Sequence, residues 1–283
     1  MRLIIYCLLV LSALVFSACD SGVEIEKIAP ENLVSVSSLI SPQDSVVRVY
    51  VYQGKVLGEV ARADSAIIKN AKVSIADGNI SSVLVFNSKT NAYEINNQVL
   101  KITALKTYRL EVVTATGVVL KASCTIPSTP AEVVIEGVKD ANDFLFNLNW
   151  PPLDKTEYFT FKFELVDVLF KPRLGATSGP TMRFSFASAQ SFFDNKDRPS
   201  KPIESAVINA FVAEKVSLKT TFYSLDESTF KYLNTKAAAN NWNSNTSGFV
   251  PNLREPQAIF SNIEGGVGVF SGYNQRIAIF KIL

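Results

Sequence analysis

No histidine occurs in the 283 residues of this chain. That absence removes Ser-His-Asp and Cys-His catalysis, histidine-ligated zinc and any imidazole proton shuttle, while carboxylate-only chemistry remains open. No cofactor or metal is expected. Charge of one sign is lacking too. Lysine and arginine number 28 against 26 acids, spread along the chain without the basic stripe that nucleic-acid binders usually show. No nucleic-acid partner is expected. Cysteine is sparse, with three in all. What the sequence has in quantity is hydrophobic residues (47%) and phenylalanine (19), much of it alternating with polar residues, as β-sheet cores require.

The N-terminus reads as an export signal over residues 1–18. Arg2 supplies a positive start, Leu3 to Phe16 form an almost unbroken apolar run, and Ser17 and Ala18 are small. The run is shorter than the about 20 residues a membrane-spanning helix needs, and suits a signal peptide. Phe16-Ser17-Ala18-Cys19 resembles a lipobox, with Phe16 where Leu is commoner. Cys19 is therefore the expected lipidation site, and the membrane the expected partner through that anchor. Cys7 leaves with the signal, so Cys124 would be the sole free cysteine of the mature chain and no internal disulfide is possible. Cys124 falls on the apolar face of a predicted strand, where a thiol is buried and inert. Residues 19–30 read as a polar tether. Its acids Asp20, Glu24 and Glu26 resemble, in composition, the signals that send lipoproteins of Bacteroidetes to the cell surface.

The remainder predicts a mainly β fold of two consecutive immunoglobulin-like or fibronectin III-like β-sandwich domains. In the first, residues 31–127, Val47, Val49 and Val51 alternate with Arg48, Tyr50 and Tyr52. Ala71, Val73 and Ile75 repeat the pattern up to the turn Asp77-Gly78, and Tyr108-Leu110-Val112 turns near Thr116-Gly117 into Leu120-Ala122-Cys124-Ile126. Such spacing suits a small sandwich. Pro127-Ser128-Thr129-Pro130 is the predicted boundary, because two prolines in four residues favour an extended connector. The second domain, residues 131–283, opens with Phe144, Phe146, Leu148 and Trp150 before Pro151-Pro152, then Phe159, Phe161, Phe163 and Leu165. A strand ending in Trp-Pro-Pro before a Phe-rich strand resembles a fibronectin type III opening, here with insertions and one short helix.

That helix is placed near residues 224–238. Ser224-Leu225-Asp226-Glu227 reads as a capping box, followed by the stripe Leu225, Phe230, Leu233 and Ala237. The Asn-rich sequence from Ala237 to Asn245 reads as a loop, and a last strand runs from Val267 to Ile282. The glycines from Glu264 to Gly272 precede a strand rather than a helix, so a bend or bulge explains them better than a phosphate cradle. Asp194, Asp197, Asp226, Glu227, Glu255 and Glu264 could supply a hydrolytic carboxylate pair only if the fold brings two together. The candidate binding residues are aromatics at or near turns and flexible sequence: Phe193 in Phe192-Phe193-Asp194, and Trp242, Phe249 and Tyr273 near Asn- and Gly-rich sequence. Aromatics on loops can stack on a sugar or a partner, or tuck the loop onto the core.

Two segments, Phe222-Tyr223-Ser224-Leu225-Asp226 with Phe230 and Tyr232-Leu233, and Ser261 to Tyr273, resemble a Bacteroidetes lipoprotein family known as domain of unknown function 4249. The lipobox and Thr125-Ile126-Pro127 support the resemblance, which spans essentially the whole mature chain. It implies an envelope lipoprotein found near TonB-dependent transporters, with accessory work in nutrient capture. The first expectation for this chain is a non-enzymatic, surface-exposed outer-membrane lipoprotein that binds a ligand or docks on a transporter. A structural or adhesion module, and a carboxylate-dependent glycan hydrolase, are the alternatives. The family has no established catalytic residues to carry over, and Ser261–Tyr273 reads as a strand junction.

Overall fold

The computed structural model describes residues 33–54, 66–78, 80–132, 134–140, 143–149, 158–170, 182–184, 192–194, 206–208, 213–244 and 258–281. The expected signal and tether, Cys19, Phe249 and the Trp150-Pro151-Pro152 strand end lie outside the described residues. The chain is mainly β, as expected.

The first half contributes β1 (Val34–Ile40), β2 (Val46–Gln53), β3 (Lys72–Asp77), β4 (Ile80–Asn87), β5 (Ala92–Asn96), a single-turn helix α1 (Asn97–Leu100), β6 (Thr107–Val113) and β7 (Val119–Thr125). Alternation places Val47, Val49 and Val51 of β2 in the core, and Val73 and Ile75 of β3 likewise. β6 and β7 form the expected hairpin, closed at Gly117, whose φ of 87° an L side chain adopts only under strain. Tyr93 and Tyr108 bring hydroxyls into this core. Each accepts from one backbone N–H and donates to one carbonyl: Ala71 and Ile68 for Tyr93, Thr103 and Lys101 for Tyr108. A buried phenol is tolerated on those terms.

The second half contributes β8 (Val134–Asp140), β9 (Asp143–Asn149), β10 (Tyr158–Phe170), β11 (Met182–Phe184), β12 (Phe192–Asp194), β13 (Ala206–Ile208), β14 (Ala213–Leu225), α2 (Glu227–Ser244) and β15 (Val267–Lys281). Among the described residues the strands form two sheets. The smaller has the order β11-β13-β9-β8, and the larger β12-β10-β14-β15-β1-β2-β5-β4-β3-β6-β7.

The larger sheet carries strands from both sides of Pro127–Pro130, and β15 is where they meet. Its first part, Val267 to Gly272, runs parallel to Ser35–Ile40 of β1. Its second part, Tyr273 to Lys281, runs antiparallel to Ser217–Leu225 of β14. At the far end of the sheet, β7 returns to the same chain segment: Lys121 and Glu264 exchange backbone hydrogen bonds of 3.1 and 2.8 Å. The sheet is thereby folded over one core, in which Val36, Val49, Tyr108, Leu120 and Phe270 are all buried together.

Segment Ser261–Gly272 is built for this junction. Asn262 takes the Phe270 N–H at 3.0 Å and donates to the Phe270 carbonyl at 2.8 Å, as a pairing strand would. Gly268 sits at φ 119°, and a Cβ there would overlap the Val36 carbonyl oxygen. The glycines do lead into a strand rather than a helix, and they let β15 lie against β1.

Helix α2 differs from the expected form in two ways. Its cap is Asp226, not Ser224: Asp226 Oδ1 accepts the Thr229 N–H at 2.7 Å, and its carbonyl accepts the Phe230 N–H. Ser224 is still in β14, because the ladder with β15 continues to Leu225, and its hydroxyl is buried without a hydrogen-bond partner. The helix also continues through Ala237-Ala238-Ala239 to Ser244, past its expected end. Three alanines, the strongest helix formers, carry the helix into the asparagines that follow.

Candidate functional site

Where β1 and β2 adjoin β15 and β14, one face of the large sheet carries a cleft of about 470 Å³. Paired residues on neighbouring strands point to the same side, and three such pairs line it, joined by Leu39 of β1. Ser37 is paired with Tyr50, Thr160 with Tyr223, and Leu225 with Tyr273. Helix α2 forms one wall through Thr229 and Leu233.

Each wall is held by buried polar contacts. Asn97, at the start of α1, fixes the loop between β1 and β2. It donates to the Asp44 carbonyl at 2.8 Å, with the Ser41 and Pro42 carbonyls at 3.3 Å, and accepts the Ile102 N–H at 2.8 Å. Asn274 ties three segments together. Its side chain accepts from Gln43 at 2.8 Å and donates to the Pro127 carbonyl at 3.1 Å. The proline connector is therefore fastened to β15. The start of α2 is joined to the same strand: Asp226 donates its N–H to the Gly272 carbonyl at 3.0 Å, and Thr229 Oγ1 lies 2.8 Å from Ser271 Oγ.

At the base of the cleft the Tyr273 hydroxyl donates to Asp44 Oδ1 at 2.8 Å, joining residues 229 positions apart. Burial pushes the Asp44 carboxyl up, opposed by that hydrogen bond and by Arg48. Burial, together with the Asp44 carboxylate, pushes the Tyr273 phenol far above its ordinary range, so it stays protonated as the donor. The Tyr223 ring stands 5.9 Å from that of Tyr273, at 57°. Tyr50 is stacked parallel to Tyr52 with centroids 6.3 Å apart. Arg48 gives its Nε to Glu94 at 2.7 Å. Glu94 is held below its usual range by Asn87, Arg48 and Thr90, which all donate to it.

Of the four candidate aromatics, the structure brings Tyr273 to the cleft. Tyr273 lies within β15, inside the last strand expected from Val267 to Ile282, and the strand runs unbroken through Gly272. Trp242 lies within α2 and Phe193 in β12, paired with Phe159 of β10. Asp44, Arg48, Tyr50 and Tyr223 were not foreseen. One signal was visible: Tyr50 and Tyr52 occupy the polar-side positions of β2, where two large rings need a reason to face outward.

The acids considered for hydrolysis are engaged separately. Asp226 caps α2, Glu227 pairs with Lys231 at 2.8 Å, and Glu264 faces Lys121 across an isolated bridge. Asp194 ends β12, while Asp197 and Glu255 lie outside the described residues. Asp44 is the one carboxylate among the described residues lining the cleft. No group of three or more Cys, Asp or Glu placed to hold a metal occurs among the described residues, and none of their helices is long and apolar enough to cross a membrane. Cys124 is buried in the core, its thiol pushed well up by that burial and then by the Asp226 charge.

No curated protein matches the sequence. A family model does, over residues 21–277, a span that takes in every cleft residue and the β15 junction: the chain belongs to the family described as Domain of unknown function (DUF4249).

Proposed function

We propose that this protein is an outer-membrane lipoprotein, anchored through Cys19 and facing the cell surface, that captures a small ligand non-enzymatically as an accessory of TonB-dependent nutrient uptake. The observation that carries the reading is the tyrosine-lined cleft. Its volume lies within the about 300–1,000 Å³ usual for small-ligand sites, and its lining combines apolar and ring surface with a few polar groups. The strands beneath it are fixed on both sides in the sheet, so the rings are held in place before a ligand arrives, which lowers the entropy lost on binding. The lipobox supports the address. An anchored binder meets membrane partners at a raised effective concentration.

The test is a pull-down of the tagged, lipidated protein from membranes in mild detergent, with mass spectrometry of what accompanies it. A TonB-dependent transporter in stoichiometric amount is the expected result. Recovery of the protein alone, or with adhesion components, would replace the uptake role by the structural one. Metabolic labelling with an alkyne fatty acid should mark the wild type and leave Cys19→Ser unlabelled.

A further inference from the structure

On the reading that this cleft captures a ligand, we infer that the ligand is a neutral carbohydrate, whose ring faces stack on Tyr50 and Tyr223 and whose hydroxyls meet their phenols and Arg48. Two properties of the cleft lead there, and a third excludes the nearest rival.

The first is which polar groups are open. Asp44 already takes the Tyr273 hydroxyl, and Thr229 is engaged with Asp226 and Ser271. The Tyr50 and Tyr223 hydroxyls, and the guanidinium nitrogens of Arg48 beyond Nε, have no hydrogen-bond partner among the described residues. These are donors with no fixed acceptor, set beside flat ring faces. A pyranose offers the complement, with C–H faces for the rings and hydroxyl oxygens along its edge.

The second is charge. One cation, Arg48, stands beside two carboxylates, Asp44 and Glu94. An anionic ligand would gain the guanidinium but meet both acids. A cation would meet the guanidinium, and find the acids already occupied by donors. A neutral ligand bears neither cost.

The third concerns peptides. A peptide bound by strand addition needs an unpaired sheet edge. The strands lining the cleft, β10, β14, β15, β1 and β2, are each hydrogen-bonded on both sides. The backbone beneath the cleft has nothing to offer another chain.

The experiment is saturation-transfer NMR on the full mature chain with two probe sets at equal concentration. One holds neutral hexasaccharides of glucose, xylose and N-acetylglucosamine, and the other neutral hexapeptides. The expected result is transfer to ring C–H protons of at least one saccharide. Tyr50→Ala and Tyr223→Ala should each weaken its binding roughly tenfold, the effect of losing ~1.4 kcal/mol of ring contact. The two Phe variants, which keep the ring, should bind within about threefold of wild type by the same conversion, while far-UV circular dichroism checks that all four are folded. Peptide binding that Tyr50→Ala abolishes would overturn the carbohydrate assignment and leave ligand capture in the cleft standing. Saccharide binding indifferent to both alanine variants would overturn the assignment of the cleft. No binding from either set would overturn the carbohydrate proposal and remove the cleft's support for ligand capture.

Discussion

Asn97 is the residue on which the cleft's outer loop depends most directly. Its amide is buried and used at both ends, holding the Asp44 backbone on one side and the Ile102 N–H on the other. Truncation to alanine leaves a buried N–H and several carbonyls without partners, each costing about 1–3 kcal/mol when water cannot replace the lost group. Asn97→Ala should therefore lower stability by about 2–4 kcal/mol, read as a shift of the urea midpoint at unchanged slope. A shift of a few tenths would show that solvent reaches the site. Asp226 presents the opposite case, a buried acid whose folded pKa is raised, chiefly by loss of water. A raised pKa means the folded state holds the proton more tightly. The stability linked to that proton is present below the unfolded carboxylate pKa and is lost as pH rises through the folded one. Asp226→Asn keeps an acceptor for the Thr229 N–H without the charge. The variant should gain on wild type between acid and neutral pH. Equal differences at about pH 4 and at neutrality would refute the linkage.

At the scale of single elements, the strands written by alternation were legible because period-2 burial is a local property. β2, β3, β6 and β7 could be read from their valines and leucines, and the β6–β7 turn from its glycine. The cap of α2 was not. Ser224-x-x-Glu227 and Asp226-x-x-Thr229 are both plausible local caps, and the choice depends on where β14 stops. That is set by its ladder to a strand some fifty residues later, with Leu225 paired to Tyr273. The two caps predict different mutants. Asp226→Ala should cost about 1 kcal/mol or somewhat more through loss of the cap, whereas Ser224→Ala removes a buried hydroxyl that bonds to nothing and should be neutral or slightly stabilising. Chemical denaturation of the two variants side by side decides it: a larger loss for Ser224→Ala would restore the capping box. The cleft was illegible for the same reason as the cap. Tyr50, Tyr223 and Tyr273 come from strands far apart in sequence, and only the order β14-β15-β1-β2 makes them neighbours. Sequence could show that tyrosines occupied outward positions, but not that those positions adjoined.

For the molecule as a whole, the decisive feature is that the last strand completes the core built by the first half of the chain. Phe270 and Ile263 belong to the same buried cluster as Val36, Val49 and Tyr108, and β1 has β15 as its neighbour on the side away from β2. A fragment ending in the proline connector, residues 31–132, would lose both apolar side chains and expose the full edge of β1. Deleting a buried phenylalanine side chain alone typically costs about 3–5 kcal/mol, against a total stability of about 5–15 kcal/mol for an ordinary domain, and an unpaired apolar edge also invites aggregation. The fragment should therefore lack a cooperative unfolding transition. The same fragment fused through a glycine-serine linker to residues 258–273 should regain one, because that segment supplies the bridge from Glu264 to Lys121, the parallel pairing to β1 and both missing core residues. Urea unfolding followed by circular dichroism, with amide dispersion in a proton–nitrogen correlation spectrum, distinguishes the two chains. A cooperative, well-dispersed fragment 31–132 would mean that the first half of the chain folds without β15. The cleft would then lie between a self-sufficient unit and a strand docked onto it afterwards.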